Sequence, residues 1–300
     1  MNKTFGLLTL ALLGWLGLAQ AEERLRPFVL ASVQKADYEQ TVADTKQKLA
    51  DAGFTVVGEY QPFGDNTVIV VTSPVSLKVA AASKRGGYGA PQRIGVAKHG
   101  DEVEVSFANP EYFQHAYRLA GDMKPVADAL KEALGYVKTF GSEDSLTPKK
   151  LKKYHYMFSM PYFDDPYEFD EFDSYEQAVA EVEKRLAAPG DAISKVYRID
   201  IPGKQQTVFG VRFQATGEDE EDIDERFQLG VVDFERPSKI AYLPYEIMVN
   251  GNEVEAPHMK FRMAVHFPDL PMTGKHGFTK LMSAPGAMDD ALEDLIEEGR

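Results

Sequence analysis

The chain has 300 residues, a formal net charge of −14 and no cysteine. The lack of cysteine excludes disulfide bonds, thiolate metal sites and cysteine nucleophiles. The excess of acidic residues argues against binding to nucleic acid, because a negatively charged surface and a phosphate backbone repel each other. A chain of this length can bury the cores of two domains of ordinary size.

The first 21 residues have the pattern of a secretory signal peptide. Lys3 supplies a positive charge, residues 5–19 form an apolar run, and Ala19-Gln20-Ala21 is a small-x-small cleavage pattern. The apolar run is shorter than the about 20 residues that a membrane-spanning helix needs. We therefore expect cleavage before Glu22, export to a periplasm, and no membrane span in the processed chain.

The first half of the chain predicts a β-α-β4-α unit. A helical period over residues 38–52 places Val42, Thr45 and Leu49 on one face, and Gly53 ends the helix. A closing helix is predicted over residues 126–134. The predicted strands cover residues 28–33, 54–60, 67–72, 93–98 and 102–107. This order is typical of an α+β fold, in which an antiparallel sheet carries its helices on one face.

The second half predicts the same order of elements. Its predicted helices cover residues 175–188 and 288–297, and its predicted strands cover residues 154–160, 194–201, 207–214, 239–249 and 259–266. Asn250-Gly251 indicates a tight hairpin, and "FDDPYEFDEFD" from Phe163 is interpreted as a loop. Residues 141–153 are polar and lysine-rich. We interpret them as a linker between a first domain over residues 22–140 and a second over residues 154–300.

Four short segments recur in the same order in both halves. The pairs are "YEQTVA" and "YEQAVA" from Tyr38 and Tyr175, "PQRI" and "PSKI" from Pro91 and Pro237, "YRLA" and "FRMA" from Tyr117 and Phe261, and "DAL" from Asp128 and Asp290. Ordered matches of this kind predict an internal duplication, with two tandem and diverged copies of one unit. Their changing spacing predicts insertions in the second copy near residues 217–226 and 267–286.

Three segments of the first copy carry a resemblance to a known family. They are "TVADTKQKLADAGFTVVGEYQ" from Thr41, "RIGVAKHGDEVEVSFANPEY" from Arg93 and "KPVADALKEAL" from Lys124. With them, residues 28–136 resemble the DUF302 family of unknown function. The resemblance implies a TATA-binding-protein-like α+β fold and no established activity or catalytic residues. The second copy matches that pattern much more weakly.

Histidine and methionine are concentrated in the second half. Residues 258–288 alone contain three His and five Met. Thioether and imidazole groups select copper, and a His/Met pair also suits haem iron. The candidate metal ligands are His258, Met259, Met263, His266, Met272 and His276. The alternative interpretation is that the methionines fill the core and that His266 is a hydrogen-bonded structural residue.

Two arginines lie in apolar surroundings. Arg118 and Arg262 belong to matching segments, "YRLA" and "FRMA". A half-buried guanidinium requires a carboxylate or a bound anion, so both residues are candidates for ligand binding. A structural ion pair is the alternative, and an acidic chain readily supplies its carboxylate.

Three functional readings follow. The first is an exported, non-catalytic binding or accessory protein that holds a small ligand or a periplasmic partner protein in the groove between its two copies, which mimic a homodimer. The second is a copper or haem carrier built on the insertion of the second copy. The third is a hydrolase with diverged motifs. It has the least support, because the sequence contains neither a nucleophile elbow nor an H-E-x-x-H motif, and we assign no catalytic residue.

Overall fold

A computed structural model describes residues 23–188 and 192–297 of the chain. The signal-peptide pattern over residues 1–21 lies outside these ranges. Within them, every helix is too short or too polar to cross a membrane.

The first unit is an antiparallel sheet, and the helices α1 and α4 pack side by side on one of its faces. Its elements are β1 (Phe28–Lys35), α1 (Tyr38–Asp51), β2 (Thr55–Tyr60), β3 (Asn66–Thr72), α2 (Pro74–Ala82), β4 (Gln92–His99), β5 (Glu102–Ala108), α3 (Pro110–Ala116), α4 (Lys124–Leu134) and β6 (Lys138–Phe140). The strands lie in the order β2-β3-β4-β5-β1-β6. Val42, Thr45 and Leu49 are buried, and Gly53 follows α1 at φ 82°, so the predicted helix and its end are confirmed.

The second unit repeats this arrangement. A short helix, α5 (Pro148–Leu151), precedes it. The elements of the unit are β7 (Tyr167–Glu171), α6 (Tyr175–Leu186), β8 (Ile193–Asp200), β9 (Gln206–Phe213), α7 (Glu225–Val232), β10 (Tyr245–Asn250), β11 (Glu253–Ala256), α8 (Met259–His266) and α9 (Ala284–Glu297). The strands lie in the order β7-β11-β10-β9-β8. This order matches β1-β5-β4-β3-β2 of the first unit. The predicted α+β fold with two tandem units is therefore confirmed.

The recurring Tyr-Glu-Gln segment has the same role in both units. The Tyr38 hydroxyl on α1 shares a hydrogen bond of 2.6 Å with Thr67 Oγ1 on β3. The Tyr175 hydroxyl on α6 makes the same 2.6 Å contact with Thr207 Oγ1 on β9. Each bond joins the first helix of a unit to the second strand of its hairpin. Thr67 and Thr207 therefore mark the same position in the two sheets.

Two predicted strands in the second half are wrong, and a third is correct only in its second part. Residues 259–266 form the helix α8, and nearly all of its side chains are buried. A helix that is buried on every side shows no 3.6-residue period, so its sequence cannot be told from that of a buried strand. Residues 154–160 are irregular, and the first strand is β7, inside the segment interpreted as a loop. The strand predicted over residues 239–249 begins only at Tyr245, after a 3-10 turn.

Two of the four recurring segments are not structurally equivalent. Ile94 lies in β4, whereas its sequence match Ile240 lies in a 3-10 turn. Arg118 follows the end of α3 at φ 51°, whereas Arg262 lies inside α8. The predicted insertions do fall where the units differ. Residues 267–283 join α8 to α9, whereas residues 117–123 suffice to join α3 to α4.

The segment over residues 141–153 is held against the first unit. Leu25 and Leu146 form a β-bridge, and the side chain of Arg26 donates to the carbonyl oxygens of Ser142 and Glu143. Leu151 in α5 is fully buried. The segment joins the two units, but it has a fixed path.

The two sheets pack against each other through the faces that do not carry α1 and α6. Arg93 on β4 reaches Glu246 on β10, and Gly95 lies against Ile240. The edge strands β2 and β8 also meet. A β-carbon on Gly58 would lie 2.7 Å from the carbonyl oxygen of Val196, so only glycine permits this approach.

A buried ion-pair network lies between the sheets. The Glu246 carboxylate accepts from Arg93 Nη1 at 2.5 Å and from Arg262 Nε at 2.8 Å. Arg262 Nη2 donates to the carbonyl oxygens of Tyr242 and Pro244. The three charged residues are at most 3% exposed. Two cations thus share one carboxylate in the interior.

Arg93 and Glu246 occupy the same position in their two units. Arg93 pairs with Val70, which lies three residues after Thr67. Glu246 pairs with Gly210, which lies three residues after Thr207. When equivalent positions contact each other, the two units are related by an approximate twofold axis, as in a homodimer.

Glu246→Gln is expected to lower the free energy of unfolding by about 3–5 kcal/mol, because it leaves two buried guanidinium groups without a carboxylate. Equilibrium urea unfolding of the processed chain measures this change. Asp101→Asn is the control, since the Lys35–Asp101 pair is more than 70% exposed on both sides and its loss is expected to change the free energy by less than about 0.5 kcal/mol. Equal effects of the two substitutions would contradict the assignment of the network as the main contact between the units.

Candidate functional site

The two arginines predicted to bind a ligand do not form a common site. Arg262 has no exposed surface; its Nε donates to Glu246 and its Nη2 to two backbone carbonyl groups, while its buried Nη1 has no hydrogen-bond partner among the described residues. Arg118 lies at the surface, where its Nη1 pairs with Asp164 at 2.7 Å and its Nε donates to the carbonyl oxygen of Lys152. The predicted apolar surroundings hold for Arg262 and not for Arg118.

The predicted metal ligands on α8 are divided between its two ends and the core. Met259 and Met263 are buried among apolar side chains. His258 caps the N-terminus of α8, and its ring stacks on Tyr167 at 4.3 Å. Burial lowers the pKa of His258 to about 4. His266 ends α8, about 12 Å further along the helix axis.

Both ring nitrogens of His266 are already occupied. Its Nδ1 lies 2.7 Å from the carbonyl oxygen of Arg262, and its Nε2 lies 3.1 Å from Nη2 of Arg93. A carbonyl oxygen only accepts and a guanidinium only donates, so Nδ1 carries the proton and Nε2 accepts. Burial, followed by the charges of Arg93 and Arg262, lowers the pKa of His266 well below its usual value. The residue is therefore a neutral, hydrogen-bonded part of the network.

Met272 and His276 lie in the segment that joins α8 to α9. His276 Nδ1 lies 3.1 Å from the carbonyl oxygen of Val231, and its ring stacks on Phe234 with centroids 4.0 Å apart. The part of the chain that the structure describes contains no group of three His, Asp or Glu residues that could hold a metal ion. The six predicted ligands are thus spread over the core, a helix terminus and this segment.

A cleft of about 790 Å³ lies between the two segments by which the second unit differs from the first. We call it the insertion cleft. It is lined by Ala215, Gly217, Glu221, Asp224, Arg226, Phe227, Gly230, Val231, Lys275, His276 and Lys280. Its volume lies in the range of small-molecule sites, about 300–1,000 Å³.

Local hydrogen bonds fix the wall of the insertion cleft that precedes and includes α7. The Asp224 carboxylate caps α7 by accepting from the backbone N–H groups of Arg226 and Phe227 at 2.9 and 3.1 Å. It also accepts from the N–H of Ala215 at 3.0 Å, which closes the preceding turn. Arg226 and Phe227 are thereby held in the first turn of a helix.

The opposite wall is a closed loop. The N–H groups of Phe278 and Thr279 donate to the carbonyl oxygens of Pro271 and Met272 at 2.8 and 2.9 Å. These bonds hold residues 272–278 as a compact turn. The contact of His276 with the Val231 carbonyl then ties this wall to α7.

The insertion cleft combines unpaired cations with apolar surface. Arg226, Lys275 and Lys280 are exposed, and none of them makes an ion pair with another described residue. Of the two acidic residues in the lining, Asp224 already accepts three backbone hydrogen bonds. Phe227 and Val231 supply apolar contacts. This combination suits an organic anion, whose charge meets the cations while its carbon skeleton covers the apolar side chains.

A second cleft of about 630 Å³ lies where β6 meets residues 232–239 and 267–271. Most of its cations are already engaged. Arg26 donates to two carbonyl oxygens, Arg236 pairs with Glu102 and Glu104, and Lys239 pairs with Asp233. The insertion cleft therefore has the greater capacity for an external anion.

The cations of the insertion cleft were not among the residues singled out in the sequence. The two insertions themselves were predicted, and His276 was selected for its imidazole. The sequence does show basic residues within the two insertions. It does not show that Arg226 and Lys275, about fifty positions apart, line the same cleft.

The comparisons with known proteins give no further assignment. No family model, no curated protein and no solved structure matches this chain. The resemblance to the DUF302 family stays a prediction.

A buried glutamate next to the capping residue of α7 also joins the two units. Glu225 is 4% exposed, and its carboxyl group accepts from the Tyr60 hydroxyl on β2 at 3.1 Å and from the Phe213 N–H at 3.3 Å. Burial raises the pKa of Glu225 to about 8, against an ordinary value of 4.5. The folded protein therefore keeps this carboxyl group protonated at neutral pH.

This raised pKa predicts a fall in stability with rising pH. Between pH 4.5 and 8 the unfolded chain loses the Glu225 proton while the folded chain retains it, so the free energy of unfolding decreases across this window. Glu225→Gln removes the titration and is expected to reduce that decrease by a few kcal/mol. Urea unfolding at several pH values measures the effect. The exposed Glu132→Gln is the control, and an unchanged pH profile in Glu225→Gln would contradict the raised pKa.

Proposed function

We propose that this chain is an exported, non-catalytic binding protein that holds a small organic anion in the insertion cleft. The observation that carries the proposal is that Arg226, Lys275 and Lys280, three cations without an ion-pair partner in the described chain, line one cleft together with the apolar side chains of Phe227 and Val231. A protein with a net charge of −14 has ample carboxylates to pair such cations. Cations that stay unpaired and converge on one cleft favour an anionic ligand.

The groove between the two units is a weaker candidate for the ligand site. Its centre is filled by the Arg93–Glu246–Arg262 network, and Tyr242 and Tyr197 beside it are also buried. A ligand there would have to displace the main contact between the sheets. The insertion cleft opens to solvent without any such rearrangement.

A tryptophan reporter allows a direct test of anion binding. The only tryptophan of the sequence is Trp15, which lies in the predicted signal peptide, so the processed chain contains none. Phe227→Trp places a single fluorophore in the insertion cleft. Titration with citrate, a multivalent carboxylate, and with inorganic phosphate is expected to change its fluorescence to saturation, and isothermal calorimetry on the unmodified chain supplies the affinity.

Lys275→Ala and Lys280→Ala are each expected to weaken citrate binding by about fivefold to tenfold, the loss of one charge-assisted contact. Lys78→Ala is the matched control, because Lys78 is also exposed and unpaired but lies on α2 of the first unit. Equal affinities in all three variants would exclude the insertion cleft as the anion site. An absence of binding to citrate and to phosphate would reject the anion class.

We also propose a periplasmic location, which the apolar run and the small-x-small pattern before Glu22 support. The chain expressed in a bacterium with its first 21 residues is expected to accumulate in the periplasmic fraction with Glu22 as its N-terminus. N-terminal sequencing or intact-mass measurement of that fraction checks the cleavage. Recovery of the uncleaved chain in the membrane fraction would contradict it.

A further inference from the structure

One stretch of the chain departs sharply from the acidic character of the rest. Residues 145–163 contain four lysines and no aspartate or glutamate, although the whole chain has 47 acidic and 33 basic residues. Lys149, Lys150, Lys152 and Lys153 are all exposed, and none of them makes an ion pair within the described chain. The stretch therefore presents four lysines without ion-pair partners, between the acidic residues 143–144 on one side and 164–165 on the other.

The most exposed large apolar side chain among the described residues follows these lysines directly. Phe158 is 95% exposed and its neighbour Met157 is 46% exposed. They lie at the tip of a loop over residues 155–162, which we call the Phe158 loop. The five peptide steps from Lys153 to Phe158 span at most about 17 Å, so the lysines lie close to the apolar tip.

The Phe158 loop is built to hold this exposed tip. His155 Nδ1 lies 2.7 Å from the carbonyl oxygen of Met157, and the rings of His155 and Tyr162 pack 4.4 Å apart across the base of the loop. The N–H of Met160 donates to the Met157 carbonyl at 3.1 Å. The turn thus directs Phe158 away from the protein by a defined set of contacts.

Aromatic residues anchor the two ends of the loop, one to the second unit and the other to the first. The hydroxyl groups of Tyr154 and Tyr156 donate to the carbonyl oxygens of Ala264 and Leu270 at 2.8 and 3.2 Å. Phe163 is buried and stacks on Tyr117 at 5.2 Å. The neighbouring acid Asp164 is neutralised by Arg118. Tyr154 and Tyr156 are partly buried and Phe163 is buried, so Met157 and Phe158 are the most exposed apolar side chains of the loop.

We propose that the Phe158 loop and the four lysines before it dock the processed protein on the surface of an anionic phospholipid bilayer. An apolar tip that enters the boundary between headgroups and acyl chains, beside lysines that meet anionic headgroups, is the chemistry of peripheral membrane binding. The charge of the stretch selects a negatively charged surface, and the single protruding phenylalanine suits a fluid surface better than a shaped protein pocket.

Co-sedimentation with lipid vesicles tests this proposal. The chain over residues 22–300 is expected to bind vesicles that contain phosphatidylglycerol, to bind phosphatidylcholine vesicles weakly, and to be released by added salt. Phe158→Ser is expected to reduce partitioning by at least about fivefold through the lost apolar insertion. Lys149→Glu combined with Lys150→Glu is expected to reduce it by at least about tenfold.

Two matched variants serve as controls. Met282→Ser removes another exposed apolar side chain, which is 62% exposed, and Lys78→Glu reverses another exposed lysine. Both are expected to bind vesicles like the unmodified chain. Phe158→Ser should unfold at the same urea concentration as the unmodified chain, because the side chain is solvated. Unchanged vesicle binding in Phe158→Ser, equal binding to both lipids, or binding to an acidic protein in place of vesicles would overturn the proposal.

Discussion

The rest of the structure depends on the ion pairs that the Glu246 carboxylate makes with Arg93 and Arg262. This carboxylate joins β4 of the first sheet, β10 of the second sheet and the helix α8 through two guanidinium groups. Its single charge does not balance both arginines, but the rings of Tyr242 and Tyr245 cover the Arg262 guanidinium at 4.2 and 4.9 Å. Cation–π contacts of this kind offset part of the cost of burying a cation. Because α8 is fixed in this way, residues 267–283 begin at a defined place. These residues supply one wall of the insertion cleft.

The two units share a scaffold and differ in their connections. Equivalent hydrogen bonds from Tyr38 and Tyr175 hold the first helix of each unit to its sheet. The insertion cleft and the Phe158 loop, in contrast, are formed by segments with no counterpart in the first unit or by the junction between the units. Lengthening a surface loop costs little conformational entropy, so new chemistry is acquired there without disturbing a buried network.

In the first unit the sequence predicted α1 and α4 as helices and β1 to β5 as apolar runs bounded by turn residues, whereas it did not predict α2, α3 or β6. The same reasoning failed at α8, where a fully buried helix has no polar face to reveal its period. It also failed over residues 154–160, where a strand was predicted although the hydroxyl groups of Tyr154 and Tyr156 anchor a loop. The pairing of Arg262 with a carboxylate could be anticipated from its apolar surroundings. Its partner Glu246 could not be identified among so many acids, and the cations of the insertion cleft are brought together only by tertiary structure.

The approximate twofold axis has a consequence for how the two halves recognise each other. Arg93 and Glu246 occupy equivalent positions, and so do Gly58 and Tyr197, since they pair with Val70 and Gly210 respectively. At the axis, therefore, a positive charge meets a negative one and the smallest residue meets one of the largest. Two first units in this arrangement would bring arginine against arginine, and two second units would bring Tyr197 against Tyr197. Each half is thus a poor partner for itself and a good partner for the other, so an exchange of halves between neighbouring molecules can only rebuild the same mixed pair.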